Sequence, residues 1–277
     1  MKFAYRTEHN AKAIAAFWGK PIENKEPYII SSLADEDNAE LFIFDILGFP
    51  FNDINAMIRE VSAVKAKSLL VRVNSPGGDI IDTFALYQAI KNHPAKVTVR
   101  IEALAASAAS ILALAGDEVQ AYPSSLMMIH NSLVMAVGNR FDLAEICDLL
   151  EKIDANMQDI YTAKTKIGKR EMADMMKAET WLSAKEMKEK GFIDAIIDGK
   201  AVKAAFDLSI FANVPEGLFE NQEGRELTRK ETEHALRKAG ASREYARAVA
   251  AKRADASDEI EAVAAEIKKT IAIIGGK

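Results

Sequence analysis

The sequence predicts an α/β fold built from repeated strand–helix units. Two short runs rich in Val, Leu and Ile, at residues 68–73 and 96–101, are typical of buried strands. Each is followed by apolar residues at helical spacing, over residues 80–90 and 108–115. Strands that alternate with helices along the chain favour a mainly parallel sheet covered by helices.

An earlier unit of the same kind precedes these two. Residues 40–47 (ELFIFDIL) predict the first core strand, and Asn52-Asp53 offers an N-cap to a helix with apolar positions over 54–64. Residues 1–38 show no sustained period and include Pro21 and Pro27. We therefore expect them to form an extended or partly mobile N-terminal arm.

The later part of the chain predicts the end of one domain and the start of an appendage. A long amphipathic helix is expected over 141–161, a capping box Ser183-x-x-Glu186 opens another helix, and residues 192–197 predict a closing strand. Beyond residue 200 a linker leads into a stretch rich in Ala, Glu, Lys and Arg. The expected organisation is an arm (1–38), a catalytic domain (39–200), and a linker with a helical C-terminal extension (201–277).

Composition limits the function classes. Of the 277 residues 49% are apolar, enough for a full core, and a net charge of −5 argues against a nucleic-acid-binding protein. The single cysteine, Cys147, excludes a disulfide framework within the chain and favours a reducing cytoplasm; we expect its side chain to be buried. The longest apolar stretch (103–115) is too short to span a bilayer, and no signal peptide is recognised. No Cys/His cluster has metal-ligand spacing, so neither a metal nor another cofactor is predicted.

A glycine-rich turn, NSPGGD at residues 74–79, joins the 68–73 strand to the next helix. Such a turn can leave backbone N–H groups facing outward. The chain lacks GxGxxG and GxxxxGK[ST] at this position, so nucleotide binding is not favoured. The residues alone favour two interpretations equally. Either the turn supplies a backbone N–H that binds an oxyanion, or its glycines only allow the chain to turn between strand and helix.

Ser107 is the candidate nucleophile. It stands among alanines at the start of a predicted apolar helix, where the Ala108 N–H lies at the positive end of the helix dipole. The alternative is a plain N-cap serine or a small-residue packing face. Ser110 lies inside the same helix, where its hydroxyl is expected to bond back to a carbonyl.

His130 is the candidate base among four histidines. His9 lies in a polar tail, His93 in a loop before Pro94, and His234 in a highly charged helix, whereas His130 ends the apolar run 126–129. Spacing leaves the accompanying acid open between five carboxylates: Asp148, Asp154, Asp159, Asp174 and Glu179.

Taken together, the motifs resemble those of the Clp-type serine peptidases. They are the NSPGG turn, Ala105-Ala106-Ser107, Met128-Ile129-His130, and the run 181–184 with Glu186 and 191–194. More closely they resemble the phage and prophage branch, the ClpP-related head maturation proteases, over residues 39–198. The resemblance implies a Clp/crotonase-type ββα spiral. It also implies Ser107 as nucleophile, His130 as base, and Gly78 and Ala108 as the oxyanion hole.

The third member of the triad departs from the family pattern. Clp peptidases typically carry an aspartate two residues before the aromatic of their Phe-Leu-(Ser/Thr)-Ala run; here the aromatic is Trp181 and the aligned residue is Glu179. Glutamate can orient an imidazole as aspartate does, with an extra methylene to accommodate. Glu179 is therefore favoured as the acid, with Asp174 as the alternative.

The resemblance implies a cytoplasmic serine endopeptidase that trims capsid or scaffold proteins during phage head maturation. The helix over 141–161 corresponds to the family's contact between rings, so a ring-forming homo-oligomer is expected. Alternatives are a proteolytic subunit working with an ATP-driven unfoldase, a catalytically silent ring subunit, and a crotonase-type acyl-CoA enzyme. An ATPase partner stays open. The C-terminal extension is either a solvated helical hairpin or an adaptor to scaffold or capsid protein.

Overall fold

The computed structural model describes residues 8–20, 28–32, 37–199, 206, 208 and 210–215. Within these residues, eight strands form one mixed sheet with seven helices around it. The strands are β1 (Tyr28–Ser32), β2 (Asn38–Ile43), β3 (Ser68–Ser75), β4 (Lys96–Ala106), β5 (Glu118–Ala121), β6 (Leu126–Ile129), β7 (Thr180–Ser183) and β8 (Ala195–Ile196). The helices are α1 (Glu8–Phe17), α2 (Ile54–Ala63), α3 (Ile80–Lys91), α4 (Ala108–Ala113), α5 (Arg140–Lys164), α6 (Lys169–Lys177) and α7 (Ala184–Lys190).

Strand β4 is the centre of the sheet. The strand order β1-β2-β3-β4-β5-β8 is parallel except for the antiparallel β1–β2 pair. The second half of β4 leaves β5 and pairs in parallel with β6, which in turn pairs antiparallel with β7. The predicted α/β class is confirmed, and this mixed sheet is consistent with the Clp/crotonase-type spiral that was expected.

Local sequence signals account for several element boundaries. The Asp53 side chain caps α2 by accepting from the Ala56 N–H, as predicted. Asp79, at the end of the glycine-rich turn, caps α3 through the N–H groups of Ile81 and Asp82. The predicted capping box between Ser183 and Glu186 opens α7. These caps satisfy amide groups that the first turn of a helix leaves without partners.

Several local expectations were wrong. The N-terminal residues contain helix α1 and strand β1, the latter paired with β2, instead of an extended arm. Cys147 is exposed on α5, because the wide apolar stripe of this helix is only partly covered within the chain. The closing strand is shorter than expected, since only Ala195–Ile196 pairs with β5. The helices predicted over 228–274 lie outside the described residues.

Two apolar clusters form the core. The larger lies between the sheet and the helices and contains most of the buried Leu, Ile and Val side chains. The smaller joins the ends of β4 and β6 to a short segment that follows the predicted catalytic domain. We call this segment, Leu208 and residues 210–214, the strap. The cluster contains Leu104, Ala106, Met128, Leu208, Phe211 and Val214. Among the helices that the structure describes, none combines the length and the apolar character that a transmembrane span requires.

Candidate active site

Ser107 occupies a strained turn between β4 and α4. Its backbone has φ 53° and ψ −127°, a region that residues with a Cβ rarely adopt and that costs about 1–3 kcal/mol. The turn is held by hydrogen bonds from the Ser107 N–H to Met128 O (2.9 Å) and from the Ser110 N–H to Ser107 O (2.9 Å). Although Ser107 stands at the N-cap position, its side chain makes no capping hydrogen bond. The plain N-cap interpretation is therefore wrong, and the hydroxyl is available for other contacts.

A buried pair of hydroxyls supports this turn from behind. The Ser110 hydroxyl donates to Ser107 O at 2.5 Å, which confirms the expected back-bonding inside the helix. The same hydroxyl lies 2.7 Å from the Tyr161 hydroxyl, which α5 carries into the core. Burial raises the pKa of Tyr161 above its ordinary value, so its phenol stays protonated.

His130 lies directly against the Ser107 hydroxyl. Its Nε2 is 2.6 Å from Ser107 Oγ, and its side chain is almost fully buried. The parallel pairing of β4 with β6 sets Ala106 beside Met128, so the residues that follow the two strands converge. Burial lowers the pKa of His130, and the negative charges of Glu179 and Asp154 oppose that effect. A lowered pKa keeps the imidazole neutral near pH 7, as a general base requires.

The other histidines do not reach this site, as far as the structure describes them. The His93 ring lies 3.1 Å from Val61 O on α2 and accepts from the Ala95 N–H at 3.1 Å. The His9 side chain and all of His234 lie outside the described residues.

The glycine-rich turn packs against the serine turn at Gly77 and against Leu47 at Gly78, and neither contact leaves room for a Cβ. A Cβ on Gly77 (φ 106°) would lie 2.7 Å from Ser107 Cβ and 2.8 Å from Ala106 O. A Cβ on Gly78 (φ 147°) would lie 2.0 Å from Leu47 O. The turn is fixed by hydrogen bonds from the Leu47 N–H to Gly77 O and from the Asp79 N–H to Leu47 O. The glycines are therefore required by the shape of the turn. This requirement does not exclude oxyanion binding by the Gly78 amide.

A cavity of about 330 Å³ opens over these groups. Ser107, His130, Gly78 and Ala108 line it together. Within the described residues, the amides of Gly78 and Ala108 donate no hydrogen bond to another part of the chain. The rest of the wall is mainly apolar and comes from α1, from the loop after β2, from the loop after His130 and from the strap. These apolar residues include Ile14, Phe17, Trp18, Leu47, Phe49, Leu133, Met135, Ile210 and Phe211.

The carboxylate of Glu179 is bound by the strap. Its two oxygens accept from the backbone N–H groups of Asn213 (2.6 Å) and Ala212 (3.0 Å), and no hydrogen bond joins it to His130. Glu179 itself has a positive φ of 50°. It nevertheless contributes the larger of the two electrostatic effects that raise the pKa of His130. Glu179 is thus near the imidazole without contacting it through a hydrogen bond.

The other four acid candidates differ in position: Asp154 acts on His130, whereas the remaining three are exposed. Asp154, on α5, accepts from the Ser132 N–H (2.7 Å) and from the Asn131 amide group (2.5 Å), and so fixes the chain directly after His130. Asp174 is exposed on α6 and has no resolved effect on the His130 pKa. Asp148 is exposed as well, and Asp159 pairs with Lys169. Of the five carboxylates, only Glu179 and Asp154 act on His130.

The strap is the part of the site that sequence reasoning missed. Its Phe211 ring packs edge-on against His130, although residues 204–217 show only modest apolarity and one proline. No motif in this segment indicates a contact with a histidine that precedes it by some eighty residues. Among the described residues, no group of three or more His, Cys, Asp or Glu side chains is arranged to hold a metal ion.

Comparison with known proteins shows similarity to proteolytic subunits of ATP-dependent Clp proteases. The chain is 32% identical over 136 residues to the ATP-dependent Clp protease proteolytic subunit 1 of Protochlamydia amoebophila, covering 48% of this chain and 66% of that protein. It is 30% identical over 128 residues to the ATP-dependent Clp protease proteolytic subunit of Deinococcus radiodurans, covering 46% of this chain and 63% of that protein. The matches thus span just under two thirds of each of these relatives.

A family model described as Clp protease matches residues 52–200, more than half of the chain. The matched range contains Gly78, Ser107, Ala108, His130 and Glu179, and it ends before the strap. On this match, the chain belongs to the Clp protease family.

Proposed function

We propose that this protein is a serine-type endopeptidase with Ser107 as nucleophile and His130 as general base. The observation that carries the proposal is the 2.6 Å contact between Ser107 Oγ and His130 Nε2 at the wall of the cavity. A neutral imidazole within hydrogen-bond reach of a serine hydroxyl is the arrangement that activates serine for acyl transfer. The strained backbone of Ser107 supports the same role, because strain of this kind clusters at active sites.

The reaction follows from these positions. His130 Nε2 takes the proton of the Ser107 hydroxyl as Oγ forms a bond to the carbonyl carbon of a substrate peptide. The Gly78 and Ala108 N–H groups donate to the resulting oxyanion. His130 then gives its proton to the leaving amine as the C–N bond breaks, which leaves an acyl-enzyme on Ser107. Water, deprotonated by His130, attacks this ester and releases the acid product with the regenerated serine.

Glu179 is the proposed acid of the triad. Its charge stabilises the imidazolium that forms when His130 takes a proton, in keeping with its effect on the His130 pKa. The exposed position of Asp174 disfavours the alternative acid.

A catalytically silent subunit is the second candidate function. The observation in its favour is that Glu179 bonds to strap amides and not to His130. If the subunit is catalytically silent, the wild-type chain should neither react with a serine-directed reagent nor hydrolyse peptides.

The proposed biological role is the processing of capsid or scaffold protein during phage head maturation, with a polypeptide as substrate. It is supported by the resemblance of the sequence motifs to the head maturation branch. The relatives found here are named as proteolytic subunits of ATP-dependent proteases, which favours the alternative of an ATPase partner. Cleavage of a capsid precursor by the chain alone supports the first role. Degradation of a folded substrate only with an unfoldase and ATP supports the second.

The proposed assembly is a homo-oligomeric ring. Helix α5 and the loop before it carry an unusual number of exposed apolar side chains, among them Leu133, Val137, Phe141 and Leu149. A large exposed apolar surface is typical of a contact with another protein, and these side chains favour one here. The domain boundaries at 38 and 200 and the adaptor role of the C-terminal extension stay predictions.

Labelling with a fluorophosphonate tests the peptidase proposal directly. The wild-type chain should gain the mass of one phosphonate, located on Ser107 by peptide mapping, and Ser107→Ala should lose both labelling and peptide hydrolysis. Ser62→Ala is the matched control, because Ser62 lies on the exposed side of α2 with its hydroxyl bonded to Ile58 O. Hydrolysis retained in Ser107→Ala, or a label on another serine, removes Ser107 from the mechanism.

A further inference from the structure

The strap lies outside the range that the Clp protease family model matches, yet it contacts the residues proposed for catalysis. The match ends at residue 200, whereas the strap begins at Leu208. Leu208, Phe211 and Val214 are all buried, at 3%, 5% and 8% exposure. Burial of three apolar side chains attaches the segment firmly to the ends of β4 and β6.

Phe211 is the central residue of this attachment. Its ring packs edge-on against three others: His130 (centroids 5.7 Å apart), Trp181 (5.9 Å) and Trp18 (6.4 Å). The contact with His130 covers the imidazole and restricts its rotation. Because water would stabilise the imidazolium, this cover contributes to the burial that lowers the pKa of His130.

The next two residues of the strap bind Glu179. The N–H groups of Ala212 and Asn213 donate to separate oxygens of its carboxylate, and the Asn213 side-chain amide donates to Ala178 O at 2.9 Å. These two backbone donors, one to each oxygen, fix the direction of the carboxylate. One short segment therefore orients both the imidazole and the carboxylate whose charge acts on it.

The strap does not fill the substrate cavity. Ile210 and Phe211 form part of its wall, while Ser107, Gly78 and Ala108 still face the open space. The hydroxyl of Ser107 bonds to His130 and not to the strap. A segment that imitated a bound substrate would occupy the space between the serine and the two amides. The observed position is that of a supporting wall.

We infer that the strap is a positioning element of the active site, in which Phe211 holds the His130 ring and the Ala212 and Asn213 amides hold the Glu179 carboxylate. This inference rests on the proposed peptidase function. It extends the working site beyond the family-matched domain. Phe211, Ala212 and Asn213 are thus positioning residues, since they act through His130 and Glu179 and not on the substrate carbonyl.

A test of this inference has to distinguish the effect of Phe211 on His130 from the effects of the charged and polar groups around the imidazole. Glu179, before β7, and Asp154, on α5, raise its pKa, and Ser107 bonds to its Nε2. Asp79, at the start of α3, lines the same cavity with its carboxylate engaged at the helix N-cap. Changing Phe211 removes none of these four groups, so a change in the His130 pKa reports the cover of the ring and the hold of the strap.

The test compares Phe211→Ala, Phe211→Leu and Val214→Ala in the full chain. Val214 is the matched control, because it belongs to the same apolar cluster but does not line the cavity. The first measurement is the pKa of His130, followed through the C2–H NMR signal of its imidazole. The second is kcat/KM for a peptide substrate as a function of pH.

In Phe211→Ala we expect the His130 pKa to rise, the acid limb of the kcat/KM profile to move to higher pH, and kcat/KM to fall about tenfold or more at its optimum. Phe211→Leu should bring the His130 pKa and kcat/KM most of the way back to the wild-type values, since leucine again covers the ring. Val214→Ala should lower thermal stability and move the pKa less than Phe211→Ala does, because Val214 anchors the strap but does not line the cavity. An unchanged His130 pKa in Phe211→Ala, a shift equal to that in Val214→Ala, or a gain of activity overturns the inference. The NMR titration decides the point even if the wild-type chain proves to have no peptidase activity, an outcome that refutes only the proposed function.

Discussion

The imidazole of His130 lies 2.6 Å from the hydroxyl of Ser107, and the two residues reach each other because β4 and β6 are neighbours in the sheet. Each residue directly follows its strand, so the parallel pairing of Ala106 with Met128 sets the distance between them. The contact is therefore a consequence of strand register.

The pH dependence of activity should reflect a buried imidazole. Burial lowers the pKa of His130, and the base must be neutral, so activity is lost only as pH falls through that lowered value. The acid limb of the kcat/KM profile should therefore lie below about 6.5, the ordinary value for histidine. A limb at or above that value contradicts the burial of His130 in the working enzyme. The same shift predicts lower folding stability at acid pH, because the unfolded chain binds the proton more tightly.

Gly78→Ala should damage catalysis. The added Cβ would lie 2.0 Å from Leu47 O and would move the turn that carries the proposed oxyanion donor. Loss of one such donor typically costs about 10²–10³ in kcat. Gly168→Ala is the control, since a Cβ there meets nothing within 4 Å. Steady-state kinetics on both variants, with circular dichroism to verify folding, checks the expectation. Equal activity of the two would contradict the expectation that a Cβ at residue 78 displaces the proposed oxyanion donor.

Glu179→Gln should separate the two acid candidates. The change preserves size but removes the negative charge that acts on His130, and disturbing a triad acid lowers kcat by as much as about 10⁴-fold. Asp174→Asn should leave kcat unchanged because Asp174 is exposed and does not act on His130. The reverse ranking of the two variants in a peptide hydrolysis assay would assign the acid to Asp174.

Arg72→Ala should destabilise the fold. Arg72 Nε donates to the buried carboxylate of Glu102 at 2.5 Å, and the guanidinium also lies over the Phe42 ring. Removing the arginine leaves a buried charge without its partner, which costs about 3 kcal/mol. Lys185→Ala is the control, because the Lys185–Glu189 pair is exposed and contributes less than about 1 kcal/mol. Urea denaturation gives both values, and similar midpoints for the two variants would contradict the prediction.

Leu149→Asp should weaken self-association. Leu149 is 51% exposed on α5, and a charge there disfavours burial against a second copy of the chain. Lys152→Gln, at an exposed position on the same helix, should leave assembly intact. Sedimentation velocity measures both. If Leu149→Asp sediments as the wild type does, this part of α5 is not the contact surface.

Much of the fold was predictable because local signals agree with tertiary structure. The Asp53 cap, the glycine-rich turn and the Ser183–Glu186 capping box each act within a few residues, so the sequence displays them directly. The candidate pair of Ser107 and His130 could be named because each follows a recognisable strand. The distance between the two side chains could not be predicted, since it depends on which strands pair in the sheet.

Other features depend on contacts that leave little trace in the sequence. The hydrogen bonds of Glu179 go to backbone amides, and any residue except proline can supply those. Phe211 is one aromatic in a modestly apolar segment, and its contact with His130 arises only through the fold. Cys147 looked buried because its helix has a wide apolar stripe, but part of that stripe is not covered within the chain. The family pattern therefore indicated Glu179 as the candidate acid, but it did not predict the contacts that its carboxylate makes.

The divided pairing of β4 has a consequence for motion. The start of this strand is bonded to β5 and its end to β6, while β3 borders it on the opposite side along most of its length. A strand with neighbours on both edges cannot open without breaking up the whole sheet, so its amide hydrogens should exchange only through global unfolding. Ser107, the proposed nucleophile, directly follows this strand, so we expect any adjustment of the cavity to come from the loops and the helix across from it.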